Sequence, residues 1–265
     1  MNDRVRRILT WVSLVGFILM YIIDPTKKMA DPTEQLLAKA ALLRASAALV
    51  LICCVWTLRL KLFEPFRVEH LSLFLPAFAV AINNFPWLPL CTGDVTLTNG
   101  YLFGWLILHV LCIGALEELA FRGMLLPLLI RRFGRTRRAL LKSVILSSII
   151  FGFVHFLNLI EGASVAETLM QVGYSMLIGA MCAVVFLGTG NLAYCIATHA
   201  VFNFGGGVTA FLAKGTVWTI PNIVGTVIIG GAVGAWMILS FCRLDPQKIP
   251  VFDDTPCKNQ NEKGD

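Results

Sequence analysis

Long apolar runs recur along almost the whole chain and constrain its fold more than any other feature. Apolar residues make up 57% of the sequence, and charged residues only 14%. A helix that crosses a bilayer needs about 20 mostly apolar residues, and in lipid it must satisfy its own backbone hydrogen bonds. The sequence therefore predicts an all-α, polytopic transmembrane helical bundle of about eight spans, at approximately 8–23, 43–58, 71–90, 101–130, 143–160, 168–188, 191–212 and 217–241.

Basic residues alternate between the two sides of this predicted bundle. Of the 22 lysines and arginines, 16 fall on the side that holds both chain ends, including the cluster RRFGRTRRALLK at 131–142. Basic loops stay in the cytoplasm, so we expect cytoplasmic N- and C-termini. The same rule accounts for the net charge of +6 without a nucleic-acid partner.

The chain is expected to form one integral, multi-pass membrane domain, in the cell membrane if the protein is bacterial. Residues 1–242 form this predicted transmembrane domain, and the polar segment 243–265 is expected to be a short disordered cytoplasmic tail. Residues 31–44, with mixed charge and helical periodicity, are expected to lie along the outer surface before the second span.

Eight cysteines are scattered through the chain, mostly inside apolar runs and without a CxxC pair. This pattern argues against a disulfide framework or a zinc knuckle. We interpret these cysteines as small buried apolar side chains.

The stretch GALEELAFRG at 114–123 places three charges inside a predicted span. Charged groups are costly at membrane depth, so function is the first hypothesis for each. Glu118 and Arg122 are four residues apart, in the favourable order for an ion pair that could also be purely structural. Glu117 is turned about 100° away and lacks this local partner. It is therefore the free carboxylate.

Three other polar residues are expected at a similar depth. Counting about 1.5 Å per residue from the predicted cytoplasmic helix ends places Glu117, His155, His199 and Asn203 roughly 12–21 Å inside the bundle. His199 and Asn203 share one helix face, as do Phe151 and His155. These residues predict a single polar chamber within the membrane, with Phe151 as part of its wall.

This set of side chains suits peptide hydrolysis by an activated water molecule. A desolvated glutamate with a histidine can deprotonate water, and a second histidine with an amide can stabilise an oxyanion. Alternatively, Glu117, His155 and His199 could bind one divalent metal ion such as zinc, with an open position for water. The sequence does not separate these two routes.

Three motifs in order, EELAFRG (117–123), FGFVH (151–155) and HAVFN (199–203), resemble the EExxxR, FxxxH and HxxxN/D motifs of the CPBP intramembrane protease family. This family contains type II CAAX prenyl endopeptidases and bacteriocin-processing or bacteriocin-immunity proteins, and is also called the Abi family. The resemblance covers roughly residues 70–212, the motif-bearing core.

The resemblance implies a helical endopeptidase with a cavity open to the cytoplasm and lipid. Glu117 and His155 would activate water, while His199 and Asn203 would stabilise the oxyanion. Glu118 and Arg122 would support the site. The family has been classed both as metalloproteases and as glutamate proteases. The implied partners are the lipid bilayer and a peptide or membrane-anchored protein substrate, which the family name suggests is prenylated.

Two other classes of function compete with this interpretation. A non-catalytic protein could use the same fold to bind a partner, as in bacteriocin immunity. A proton-coupled transporter could use the same glutamate and histidine residues as a relay. Transporters of that kind usually show repeated halves and broken helices, and the sequence shows neither.

Overall fold

The computed structural model describes residues 3–217 and 219–249, and this part of the chain is almost entirely helical. Its ten α-helices are α1 (Asp3–Ile23), α2 (Pro32–Thr57), α3 (Leu71–Asn83), α4 (Trp87–Thr92), α5 (Phe103–Glu118), α6 (Leu126–Phe133), α7 (Arg137–Val154), α8 (Val165–Thr189), α9 (Leu192–Gly207) and α10 (Ile220–Arg243). A small antiparallel sheet pairs β1 (Val95–Leu97) with β2 (Ala213–Gly215). The structure thus confirms the predicted all-α bundle.

Seven helices of the described chain are long and apolar enough to cross a membrane. The third predicted span, 71–90, is shorter than expected, because α3 ends at Asn83 and α4 begins only at Trp87. Pro86 lies between the two helices and cannot donate a backbone hydrogen bond. The protein is therefore an integral, multi-pass membrane protein, and its described residues include seven long candidate spans and one shorter apolar helix, Val68–Asn83.

Residues 31–44 do not form the separate surface helix that the sequence suggested. They are the beginning of α2, a continuous helix of 26 residues. Asp31 caps this helix by accepting hydrogen bonds from the backbone N–H groups of Thr33 and Glu34, both at 2.8 Å. The cap and Pro32 at the first helical position fix the start of α2, and nothing interrupts the helix before Thr57.

The helices that carry the polar residues pack side by side. α5 lies between α2 and α9, and α7 packs along α8. β1 and β2 tie the chain before α5 to the chain after α9, so these two helices are joined at one end of the bundle. A large cluster of buried apolar residues lies away from this sheet, and it includes Phe186, Leu187 and Leu192 around the turn between α8 and α9.

A π-helical segment, Leu119–Leu125, follows the two glutamates and joins α5 to α6. A second one, Val208–Leu212, continues α9. Isolated π-helical turns inside α-helices occur frequently at functional sites, because the extra residue redirects side chains. Both segments lie on the two helices that carry the predicted glutamates and His199.

The predicted tail is only partly described. α10 ends at Arg243, and Pro246–Lys248 form a short 3-10 turn in which the backbone N–H of Gln247 donates to the side chain of Asp245. Residues 250–265 lie outside the described residues. The predictions of a single domain, of a disordered tail and of cytoplasmic termini remain predictions.

Candidate active site

Glu118 and Arg122 form the ion pair that their spacing predicted. Arg122 Nη1 donates to Glu118 Oε1 at 3.0 Å, and both side chains are completely buried. Glu118 is the last residue of α5, and Arg122 lies one turn later in the π-helical segment. In this buried pair each charge is neutralised by the other, so neither is left uncompensated in the interior of the bundle.

His199 lies between the two glutamates. Its Nδ1 contacts Glu118 Oε1 at 2.8 Å, and its Nε2 lies 3.5 Å from Glu117 Oε2. The short contact assigns the proton of Nδ1 to the hydrogen bond with Glu118, which leaves Nε2 facing Glu117. Glu118 therefore does more than neutralise Arg122, since it also orients the histidine.

Glu117 is the more accessible of the two carboxylates. Its side chain is 26% exposed, whereas that of Glu118 is 0% exposed. Its Oε2 atom is buried and has no hydrogen-bond partner among the described residues, and Nε2 of His199 lies 3.5 Å from it. The structure agrees with the expectation that Glu117 lacks the arginine.

Gly114 permits this arrangement, because it lies one turn before Glu118 where α5 meets α9. A Cβ atom at Gly114 would lie 3.1 Å from the carbonyl oxygen of Ile196 and 3.2 Å from the backbone nitrogen of Ala200. The two backbones are therefore as close as they can be without a side chain between them. This close approach lets the short side chain of Glu118 reach His199 on the neighbouring helix.

Phe151 connects the remaining residues. Its ring, which is almost fully buried, packs edge-on against the imidazoles of His155 and His199, at centroid distances of 5.2 and 5.8 Å. The Arg122 guanidinium lies over the same ring, 4.5 Å from its centre. Cation–π contacts of this kind gain strength where water is excluded. Phe151 thus contacts members of all three motifs.

His155 is the first residue after α7 and is partly exposed. Its Nδ1 lies 3.0 Å from the carbonyl oxygen of Phe151, which can only accept a hydrogen bond. The Nδ1 atom therefore carries the proton in this contact, and the lone pair of Nε2 is available. His155 joins the site through the Phe151 ring.

Asn203 lies one turn after His199 on α9 and is partly buried. Its side-chain amide makes no hydrogen bond within the described parts of the chain. The preceding residue is held in place, because Asn84 donates to the carbonyl oxygen of Phe202 at 2.7 Å. The amide of Asn203 is therefore a donor without an internal partner on a fixed backbone.

Two residues of α8 were not predicted from the sequence. A Cβ atom at Gly179 would lie 2.9 Å from Arg122 Nη2 and 3.0 Å from a ring carbon of Phe151, so any larger residue would force these side chains to shift. Tyr174 lies within electrostatic range of Glu117, and its ring centre is 5.6 Å from that of Phe202. Neither residue stands out from its apolar surroundings in the sequence, because these contacts arise only when α8 packs on the π-helical segment, α7 and α9.

The predicted metal ligands, Glu117, His155 and His199, do not form a compact group in the described structure. Among the described residues, the three potential ligands with donor atoms within 4.8 Å of one another are Glu118, Cys182 and Cys195. Glu117 and His199 are neighbours at 3.5 Å, while Nδ1 of His155 is directed to a backbone carbonyl. The predicted metal site at these three residues remains a prediction.

Comparison with known families agrees with the motifs. Residues 98–205 match the family model of Rce1-like type II CAAX prenyl endopeptidases. The matched segment includes every residue of the site, from Glu117 to Asn203. No curated protein and no solved structure matches the chain. The motifs, the helical membrane fold and this match over residues 98–205 are together consistent with a member of the CPBP family of membrane peptidases.

Proposed function

We propose that the protein is an intramembrane endopeptidase that hydrolyses a peptide bond of a membrane-associated peptide or protein. The observation that carries this proposal is the position of His199. It is held by the buried carboxylate of Glu118 and faces the more exposed carboxylate of Glu117, inside a bundle of membrane-spanning helices. A proton acceptor and a fixed proton donor side by side are the parts that water-mediated acyl transfer requires.

Glu117 is proposed as the general base. It has no cation on its own helix within hydrogen-bonding distance, so its carboxylate is free to accept a proton from water. The 3.5 Å between Glu117 Oε2 and His199 Nε2 is too long for a good direct hydrogen bond. We propose that the catalytic water enters between these two groups and contacts both. The lone pair on Nε2 of His155 supplies a second acceptor for that water.

His199 and Asn203 are proposed to stabilise the oxyanion. When the imidazole is protonated, both of its nitrogens donate, one to Glu118 and the other toward the reacting carbonyl. The side-chain amide of Asn203 adds a donor from the next turn of the same helix. As the attack proceeds, negative charge develops on the carbonyl oxygen, and these donors need no reorganisation to meet it.

Glu118, Arg122 and Phe151 are proposed to hold the site without touching the substrate. Glu118 orients His199, Arg122 neutralises Glu118, and the ring of Phe151 packs against both histidines. Since all three are buried, their effect on catalysis acts through the positions of His155 and His199.

A divalent metal ion is the other route to an activated water. Glu117 and His199 could supply two ligands, and His155 would have to turn its Nε2 toward them to supply a third. The carboxylate route demands less of His155, because Glu117 and His199 already lie 3.5 Å apart and His155 has to reach only their shared water, not a common metal ion. Such an ion would act as a Lewis acid on the water.

The substrate class follows from the location of the site and from the matched family. The site lies within helices that can span a membrane, and we propose that a substrate segment reaches it from the membrane. The family model describes type II CAAX prenyl endopeptidases, and we propose a prenylated peptide or protein as the substrate of this chain. Neither the described residues nor the comparisons support the alternative of a non-catalytic immunity protein.

The test is cleavage of membrane-anchored peptides by the purified full-length protein, with prenylated and non-prenylated versions of the same peptides. Glu117→Gln and His155→Ala should each lower the rate by about 10²–10⁴-fold, the usual contribution of general acid–base groups. Glu161→Gln, an exposed glutamate in the loop before α8, is the matched control and should cleave normally.

Cleavage that persists in both variants would refute these roles. Loss of cleavage with a chelator, restored by a divalent ion, would select the metal route over the carboxylate route. Equal cleavage of both peptide versions would remove the prenyl group from the proposal while leaving the peptidase in place.

A further inference from the structure

A second polar cluster lies directly behind the catalytic residues. Cys182 on α8, Cys195 on α9 and Glu118 at the end of α5 place one sulfur, a second sulfur and a carboxylate oxygen within 4.8 Å of one another. All three residues are 0% exposed. The proposed mechanism uses neither cysteine, and the sequence pattern suggested only that cysteines fill apolar space.

The carboxylate that belongs to this cluster has one oxygen with unmet bonding capacity. Glu118 Oε1 accepts hydrogen bonds from both Arg122 and His199, but Glu118 Oε2 is buried without any partner among the described residues. Buried carboxylate oxygens without a partner are rare, because the lost hydration is not replaced. A ligand that contacts Oε2 would remove this deficit.

The separations of the three ligand atoms and the chemistry of the two thiols fit a bound cation. Two ligands that bind one zinc ion tetrahedrally, with zinc–sulfur bonds of about 2.3 Å, lie about 3.8 Å apart. The two sulfurs would therefore have to approach by about 1 Å at most. Thiolates select soft ions such as Zn²⁺ and Cd²⁺ over hard ions such as Mg²⁺.

The charges also balance. Two thiolates cancel the charge of a divalent ion, and the carboxylate of Glu118 remains cancelled by Arg122. Without an ion, Cys195 is a thiol that donates to the carbonyl oxygen of Cys182 at 3.2 Å. Binding would break two S–H bonds, form two metal–sulfur bonds and release two protons, with no oxidation or reduction.

We propose that Glu118, Cys182 and Cys195 form a binding site for a thiophilic divalent cation, separate from the water-activating residues. A bound ion would draw the carboxylate of Glu118 toward the sulfurs and weaken its hold on His199. On the proposed function, on which this consequence rests, the ion therefore inhibits the peptidase. A displacement of about 1 Å in a catalytic group can lower the rate by about 10²-fold.

The test of binding does not depend on activity. The full-length protein in detergent is titrated with Cd²⁺ in the presence of a phosphine reductant, and the ultraviolet charge-transfer absorption of cadmium thiolates is recorded. Cys182→Ala and Cys195→Ala should each lose most of this absorption. The matched control, Cys53→Ala/Cys54→Ala, also removes two thiols from the membrane region and should keep it.

An absorption band that survives in Cys182→Ala and Cys195→Ala, or that disappears in the control, would overturn the proposal. X-ray absorption at the cadmium edge gives a second result on the wild-type protein, so it does not depend on whether the variants fold. Two sulfur neighbours together with oxygen or nitrogen neighbours are expected. A shell without sulfur would overturn the site.

Cleavage assays then separate this proposal from the proposed function. Cd²⁺ should inhibit the wild type, and Cys182→Ala/Cys195→Ala should be resistant. If no variant cleaves any peptide but Cd²⁺ still binds through these cysteines, the metal site stands and the peptidase fails. If cleavage is normal and the wild type is as resistant to Cd²⁺ as the double variant, the inhibitory part is refuted.

Discussion

The buried pair of Glu118 and Arg122 gives the sharpest prediction for stability. Replacing Glu118 by alanine removes the partner of a completely buried guanidinium, whose Nε and Nη2 already have no hydrogen-bond partner among the described residues. Removing one member of a buried pair typically costs about 3–5 kcal/mol, since the other charge remains without compensation. We expect this loss for Glu118→Ala.

The double variant Glu118→Ala/Arg122→Met should be more stable than the single one. It removes the uncompensated charge and keeps an unbranched side chain of similar length in the space of the arginine. What remains is the Nδ1–H of His199 without its acceptor, which costs about 1–3 kcal/mol. The second substitution should therefore recover about 2 kcal/mol of the loss.

The measurement is thermal unfolding of the purified protein in one detergent, read as loss of the monodisperse peak in size-exclusion chromatography. Glu117→Ala is the control, because this glutamate is partly exposed and lacks an arginine partner; its cost should stay within about 1 kcal/mol. If Glu118→Ala unfolds no earlier than Glu117→Ala, the buried pair does not carry the stability assigned to it. A double variant no more stable than Glu118→Ala would show that the charge on Arg122 is compensated in another way.

Three further outcomes are expected. Gly179→Val should destabilise the protein by about 1–3 kcal/mol and lower cleavage, because the valine side chain would enter the space of Arg122 and Phe151. Gly173→Val is the control on the same helix; it faces open space and should change neither stability nor cleavage. Phe151→Ala should cost about 3–5 kcal/mol in thermal unfolding, as expected for a fully buried ring; a cost below 1 kcal/mol would contradict its central position. The hydrogen bond from the backbone N–H of Glu34 holds the pKa of Asp31 below its usual value of 3.8. The contribution of the Asp31 carboxylate to folding stability should therefore be complete above pH 3.8, and it should be lost as the pH falls through the pKa of Asp31 in the folded protein. Asp31→Asn should unfold with a weaker dependence on pH in that acidic range, and an unchanged dependence would show that Asp31 does not contribute.

Much of the molecule follows from the sequence alone. Apolar runs of 16 residues and more leave a helical membrane bundle as the available solution, because lipid offers no hydrogen bonds to an open backbone. The spacing of four residues placed Glu118 beside Arg122, and the turn of about 100° per residue separated Glu117 from both. These are properties of one helix, so they need no knowledge of its neighbours.

The boundary of the third predicted span depends on contacts that local composition does not show. The apolar run 71–90 looked like a full span, but Pro86 and the asparagines at 83 and 84 divide it. Asn84 instead donates to the backbone of α9, a contact between residues 118 positions apart. Local composition shows that such a segment is apolar. The length of its helix also depends on which hydrogen-bond partners the residues at the helix ends find elsewhere in the fold.

Only the tertiary structure decided how the helices share their polar groups. Helical spacing cannot show that His199 contacts both glutamates, that Phe151 packs against both histidines, or that Cys182 and Cys195 meet behind Glu118. Each contact depends on the rotation and separation of two helices, which small residues such as Gly114 and Gly179 set by allowing close approach. Spacing along one helix fixes which side chains share a face, while the packing of neighbouring helices fixes which faces meet. The sequence therefore determined the membrane fold and the candidate residues, and the packing determined their partners.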